Sequence, residues 1–198
     1  MAFTGIILAG GKSSRMGKNK AELLLDNKTL VYHIAEVFEK MGASEIIVNS
    51  NTQISIQKNW RICPDIISDL GPIGGIYSSL KVSSNQTNII VPCDSPFVNI
   101  ELLSKLLEYH NPFQFTTVCF QGGFFPLIAV AKKEIVDNIQ NQIENNNFKV
   151  QDLLKVTESN VIHIENEKWS PSFNPEKVLF NINTTADFLK ITNETIQN

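Results

Sequence analysis

Three runs of branched aliphatic residues constrain this chain more than any other feature: Ile6-Ile7-Leu8, Ile46-Ile47-Val48 and Ile89-Ile90-Val91. A strand with one face in water alternates apolar and polar residues, and these do not. Each is expected to be buried on both faces, as in a parallel sheet covered by helices. Helical spacing separates them. Leu30, Val31, Ile34, Val37, Phe38 and Met41 form one apolar stripe, stopped by Gly42. Gly71-Pro72 opens a second, carrying Ile73, Ile76, Tyr77 and Leu80. Ile100 to Tyr109 reads as a third, capped by Asn99. Trp60 to Cys63 is a weaker strand ended by Pro64. Strand and helix thus alternate over the first 110 residues, which argues βαβ units.

The remainder is less regular. Thr116 to Phe120 and Leu127 to Ala131 flank Gly122-Gly123 and predict an antiparallel pair. Helices are expected over Lys133 to Ile143 and Val150 to Val156, and strands over Val161 to Ile164 and Val178 to Ile182. Thr184-Thr185-Ala186-Asp187 resembles a capping box opening a last helix. No repeat or linker divides the 198 residues. One domain is therefore expected over 1–198, with 1–110 and 111–198 as its two halves.

Composition excludes several classes. The net charge of −3 argues against a nucleic-acid binder driven by overall charge. The longest apolar stretches, such as Phe124 to Ala131, fall short of the ~20 residues a membrane span needs. Cys63, Cys93 and Cys119 form no C-x-x-C and cannot all pair, which suits a reduced, cytoplasmic protein. His33, His110 and His163 lack the spacing of a zinc site.

Four segments carry chemistry. Leu8 to Lys20 follows a buried strand and precedes a helix. It holds Gly10, Gly11 and Gly17, with Lys12, Arg15, Lys18 and Lys20 and no acid. Such a loop offers backbone N–H groups and cations to a polyphosphate. It is no Walker A loop, because the first glycine would fall at Ile6, and G-x-G-x-x-G is absent. In Val91 to Phe97, Asp94 stands just past a strand end, held by Pro92 and Pro96. It can cap a turn or bind Mg²⁺, which takes one or two carboxylates beside substrate phosphates. Asp65 follows another strand and leads to Gly71, Gly74 and Gly75, which allow close approach of a ring or phosphate. Asn181 and Asn183, at i and i+2, leave a strand by one face and can both donate and accept.

Together, L-A-G-G-K-S-S-R-M-G-x-x-K, D…G-P-x-x-G-I, P-C-D-x-P-F and F-N-I-N-T, running from residue 8 to residue 184, resemble the molybdenum cofactor guanylyltransferases, the MobA family. The resemblance implies a three-layer α/β, Rossmann-like nucleotidyltransferase fold, with a mostly parallel central sheet and a small antiparallel part. It implies Mg²⁺-dependent transfer of GMP from GTP to the phosphate of molybdopterin. Leu8, Ala9, Gly10, Gly11, Lys20, Asn49, Asp65, Gly75 and Asp94 would then contact GTP, Asp94 would hold the metal, and Asn181 and Asn183 would lie on the pterin side. Lys20, Arg15 and Asp94 would carry catalysis, and molybdenum cofactor biosynthesis proteins or molybdoenzyme chaperones would be transient partners.

Two departures stand out. Thr185 and Ala186 replace the family's usual proline and acid, and Gln121 to Pro126 reads more apolar than in relatives. Rival readings are cytidylyl transfer to the same cofactor, a sugar-phosphate nucleotidyltransferase, and a non-catalytic nucleotide-binding regulator. Cytidylyl relatives tend to carry alanine where this chain has Gly10, and the missing methyl would leave room for a purine.

Overall fold

The computed structural model describes residues 2–10 and 20–196. The strands are β1 (Phe3–Leu8), β2 (Leu24–Leu25), β3 (Lys28–Thr29), β4 (Glu45–Asn49), β5 (Arg61–Cys63), β6 (Thr87–Pro92), β7 (Phe115–Phe120), β8 (Gly123–Lys132) and β9 (Ser159–His163). The helices are α1 (Leu30–Lys40), α2 (Pro72–Val82), α3 (Ile100–His110), α4 (Val136–Glu144), α5 (Leu153–Val156), α6 (Pro175–Val178) and α7 (Thr185–Ile196).

Seven strands form one sheet in the order β5-β4-β1-β6-β8-β7-β9. All neighbours pair in parallel except β8, which runs against both β6 and β7. β2 and β3 make a separate antiparallel pair. The expected mostly parallel α/β architecture is thus the one observed.

The aliphatic triplets behave as double-sided burial requires. Ile7, Ile46, Val48, Ile89 and Val91 enter one core cluster with Val31, Ile34 and Phe38 of α1 and Leu102, Leu103 and Leu106 of α3. Ile6, Leu8, Ile47 and Ile90 enter a second, against Ile73, Ile76 and Leu80 of α2 and Ile139 of α4. Alternate residues of each run therefore feed opposite layers. Gly5 lies between them for a steric reason: a methyl there would stand 2.3 Å from the Phe38 ring.

Helix ends follow the sequence signals. Thr29 caps α1 through Tyr32 N–H, and Asn99 caps α3 through Leu102 N–H. Gly42, at φ +78°, follows α1. Pro72 sits in the first turn of α2. The segment Lys133 to Glu144 begins as a 3-10 turn before α4, and β9 stops at His163, one residue before its expected end.

One expected strand is corrected. Val178 to Ile182 forms no strand: Asn174 accepts a hydrogen bond from Lys177 N–H, Pro175 opens the turn, and α6 runs to Val178. The next residues carry no ladder and are anchored instead by Val178, Leu179 and Ile182, all buried. Asn181 and Asn183 therefore leave an irregular segment, and the expected shared strand face does not exist.

Candidate active site at the carboxyl edge of the sheet

Strand register gathers the candidate residues. Leu8 lies opposite both Asn49 and Pro92, and Asn49 lies opposite Cys63. β1, β4, β5 and β6 consequently end together. The chain moves from β1 outward to β4 and β5, then returns to β6 on the other side of β1. Ligands of open α/β sheets bind at such a reversal, outside the carboxyl ends. Backbone bonds prolong the edge: Ala9 N–H donates to Asn49 O and Cys93 N–H to Leu8 O, both at 2.9 Å.

Asp94 stands in the turn after β6, with Lys20 Nζ 3.6 Å from its Oδ2. The two side chains are only 24% and 19% exposed. Burial pushes the Asp94 carboxyl above the usual carboxylate range, and the Lys20 ammonium pulls it back. Such a carboxylate favours any arriving cation. Burial also raises the Cys93 thiol to about 12, so this neighbour stays protonated and is no nucleophile.

The segment between α6 and α7 is tied to the same turn. Ile182 N–H donates to Asp94 O at 2.8 Å, and Ser95 Oγ donates to Asn181 Oδ1 at 2.6 Å. Asn183 is exposed. Asp187 Oδ2 accepts from the N–H groups of Asn183 and Thr184, and Thr184 Oγ1 accepts from Asp187 N–H, which completes the expected capping box. These bonds, with a smaller contribution from the Lys20 charge, hold the Asp187 carboxyl below its ordinary range.

On the other side of β1 the side chains interlock. Asn49 is 2% exposed. Its Nδ2 donates to Cys63 O at 3.1 Å and to Asp65 Oδ1 at 2.8 Å. Its Oδ1 occupies space that glycines leave open: a methyl at Gly75 would stand 2.3 Å from it, and one at Gly10 3.1 Å. Gly10 and Gly75 thus make room for Asn49 within the protein. Asp65 has a second partner. Asn51 Nδ2 donates to Asp65 Oδ2, and Asp65 N–H donates back to Asn51 Oδ1, both at 2.7 Å.

The structure therefore brings Leu8, Ala9, Gly10, Asn49, Asp65 and Gly75 together, and Lys20, Asp94, Asn181 and Asn183 beside them. Gly11 and Arg15 lie outside the described residues, as do Lys12, Gly17 and Lys18. Asn51 and Ser95 were missed, although Asn51 stands at i+2 from Asn49, the same signal that drew attention to 181 and 183. Among the described residues, no three His, Cys, Asp or Glu side chains gather as a metal cage. An open cavity of 450 Å³ beside the start of α2, lined by Pro72, Pro126, Leu127 and Phe148 among others, contains none of the predicted site residues.

A sequence model described as the MobA-like NTP transferase domain matches residues 5–161. A protein of Flavobacterium johnsoniae named "Probable molybdenum cofactor guanylyltransferase" is 33% identical over 164 residues, covering 82% of this chain and 86% of its own. A Carboxydothermus hydrogenoformans protein of the same name is 31% identical over 189 residues, covering 96% and 94%. Among solved structures, the molybdopterin-guanine dinucleotide biosynthesis protein A of Archaeoglobus fulgidus superposes with a TM-score of 0.82 at 20% identity, over 98% of this chain and 100% of its own. A Mycobacterium tuberculosis protein solved in complex with manganese shares the fold at a TM-score of 0.61 and 12% identity, over 90% and 98%. The chain belongs to the MobA-like NTP transferase family.

Proposed function

We propose that this chain transfers GMP from GTP to the phosphate of molybdopterin, releasing pyrophosphate and forming the guanine dinucleotide form of the molybdenum cofactor. The observation that carries the reading is the pairing of Lys20, in the 3-10 turn Lys20–Glu22, with Asp94 just past the end of β6, tied by Ser95 to the Asn181–Asn183 segment. The names borne by the relatives support the same substrates.

Both reactants are anions, so their repulsion must be offset before the molybdopterin phosphate can approach the α-phosphorus. Lys20 serves as a point charge on the nucleotide phosphates, and Arg15 and the backbone N–H groups of the glycine-rich sequence after Leu8 would add to it. No protein base is needed, because a phosphate monoester is already ionised near neutral pH. Positioning and electrostatics then supply most of the rate.

The donor set fits a magnesium ion. Asp94 is a hard oxygen ligand in a poorly solvated position, and Mg²⁺ is usually held by one or two carboxylates together with substrate phosphates and water. Bound there, Mg²⁺ would neutralise charge on the reacting phosphates. The base and ribose are read on the other side of β1, by Leu8 to Gly11, Asn49, Asp65 and Gly75. Asn181 and Asn183 face the pterin. The whole of 1–198 acts as one nucleotidyltransferase unit, and the proposed setting is the cytoplasm, which suits three unpaired, buried cysteines.

The test is pyrophosphate release with GTP, ATP or CTP, each with and without molybdopterin. GTP alone should support molybdopterin-dependent release. Nucleotide binding without turnover would overturn the reading in favour of a regulator, and preference for CTP in favour of cytidylyl transfer.

A further inference from the structure

Asp65 follows β5, a three-residue strand at the sheet's edge, and the loop beyond it is exposed, with Ile66 and Ile67 57% and 41% accessible. Nothing in β5 itself could fix a side chain there. The fixing comes from three other points. Asn49 holds one carboxylate oxygen, Asn51 holds the other and also the Asp65 N–H, and Ser78 Oγ accepts from Ile66 N–H at 2.8 Å. Asn51 is itself exposed. Its amide is committed to Asp65 at both ends although water could satisfy it.

The chemistry of the clamp is specific. An ionised carboxylate has about four lone-pair sites and no donor. Two neutral amide donors occupy one site on each oxygen and leave the negative charge in place. What remains is one acceptor site per oxygen, held at fixed separation and orientation. Such a group suits a ligand presenting two neighbouring donors, and it rejects one that presents an acceptor there, because a buried mismatch is costly.

We propose that Asn51 is a positioning residue that fixes Asp65 as a two-donor acceptor for the nucleoside. This rests on the guanylyl-transfer reading above. GTP has two such donor pairs, the N1–H and 2-amino group of the base and the 2′- and 3′-hydroxyls of the ribose. Both have the same chemistry, and analogues separate them: inosine triphosphate lacks the 2-amino group, and 2′-deoxyGTP lacks one hydroxyl.

The experiment uses the full chain and the variants Asn51→Ala and Asn51→Asp. Calorimetric titration with GTP, inosine triphosphate and 2′-deoxyGTP is run without a second substrate, beside kcat and KM for pyrophosphate release and a melting curve. The parent should prefer GTP over at least one analogue. Asn51→Ala should keep the parent's melting temperature, bind GTP about tenfold more weakly, lose that preference, and show the change in KM with little change in kcat. Loss of preference against inosine triphosphate assigns the base edge, and against 2′-deoxyGTP the ribose. Asn51→Asp preserves size but turns a donor into a carboxylate facing Asp65, so it should lose at least as much. A parent that binds all three alike, or variants that keep the parent's preferences, would overturn the proposal. Absence of turnover in the parent would instead strike the guanylyl-transfer reading, while the titrations would still test the clamp.

Discussion

At the scale of single residues, small side chains decide where larger ones can stand. Gly75 lies in α2, where glycine is a poor choice for the helix itself; replacing it with alanine would ordinarily stabilise by about 1 kcal/mol. Here the added methyl would stand 2.3 Å from Asn49 Oδ1 and 3.0 Å from its Cγ. Asn49 is buried and anchored at two points, so it cannot swing aside freely. Overpacking of this kind costs about 1–3 kcal/mol. We therefore expect Gly75→Ala to lower the urea midpoint, against helix propensity, and to weaken GTP binding by displacing the Asn49–Asp65 contact. A more stable variant with unchanged GTP titration would show that Asn49 has slack. The sequence marked Gly75, Asn49 and Asp65 separately, but not that one amide joins them. That contact crosses from strand to helix and loop, and no local pattern encodes it. Asn51 offered the i+2 spacing from Asn49, but its partner Asp65 lies 14 positions on, and the spacing alone does not join them.

At the scale of elements, long apolar periodicity was readable and short, cap-driven structure was not. The triplets and stripes placed β1, β4, β6, α1, α2 and α3, because each buries a continuous face. The β2–β3 pair has two residues per strand and a turn at Asp26-Asn27 with both φ values positive, so it offers almost no apolar period. The region after Asn174 looked like a strand by its aliphatics, and its cap and proline made a helical turn. One junction makes a measurable prediction. His110, the last residue of α3, is 4% exposed; its Nδ1 meets Thr116 Oγ1 of β7 at 3.1 Å, and its Nε2 has no partner. Burial, aided by the Lys132 charge, lowers its pKa to about 4. The unfolded chain takes up a proton near pH 6.5 and the folded one only near 4. Stability from this group is thus complete above pH 6.5 and is lost as pH falls toward 4. From pH 7 to pH 5 the loss should be roughly 2 kcal/mol. Urea midpoints at both pH values should fall less steeply for His110→Gln than for the parent; parallel acid limbs would contradict this.

At the scale of the whole molecule, the sheet topology sets two separate clusters of polar side chains beside the end of β1. Asn49, Asn51 and Asp65 lie toward β5, and Lys20, Asp94, Ser95 and Asn181 lie toward β6 and the last helix. This division suits a transferase that must hold a nucleoside on one side and meet a second phosphate on the other. It was legible in outline, since strand ends announce the edge, and the segments after β1, β5 and β6 were recognisable by their glycines and acids. The pairing of Asp94 with Lys20 and the tie of Ser95 to Asn181 needed the fold, because 74 and 86 positions separate those partners in the chain. Guanylyl transfer is proposed to depend above all on Asp94. Its side chain is poorly solvated and its backbone carbonyl, not its carboxylate, supports Ile182. Asp94→Asn should therefore fold and melt like the parent, since the change removes a charge that burial disfavours. The decisive measurement is molybdopterin-dependent pyrophosphate release from GTP across a Mg²⁺ titration, for the parent and Asp94→Asn, beside their melting curves. Release should drop at least about a hundredfold in the variant, with little rescue by added Mg²⁺ and a smaller loss in GTP binding. Parent-like release from a normally folded Asp94→Asn would contradict it.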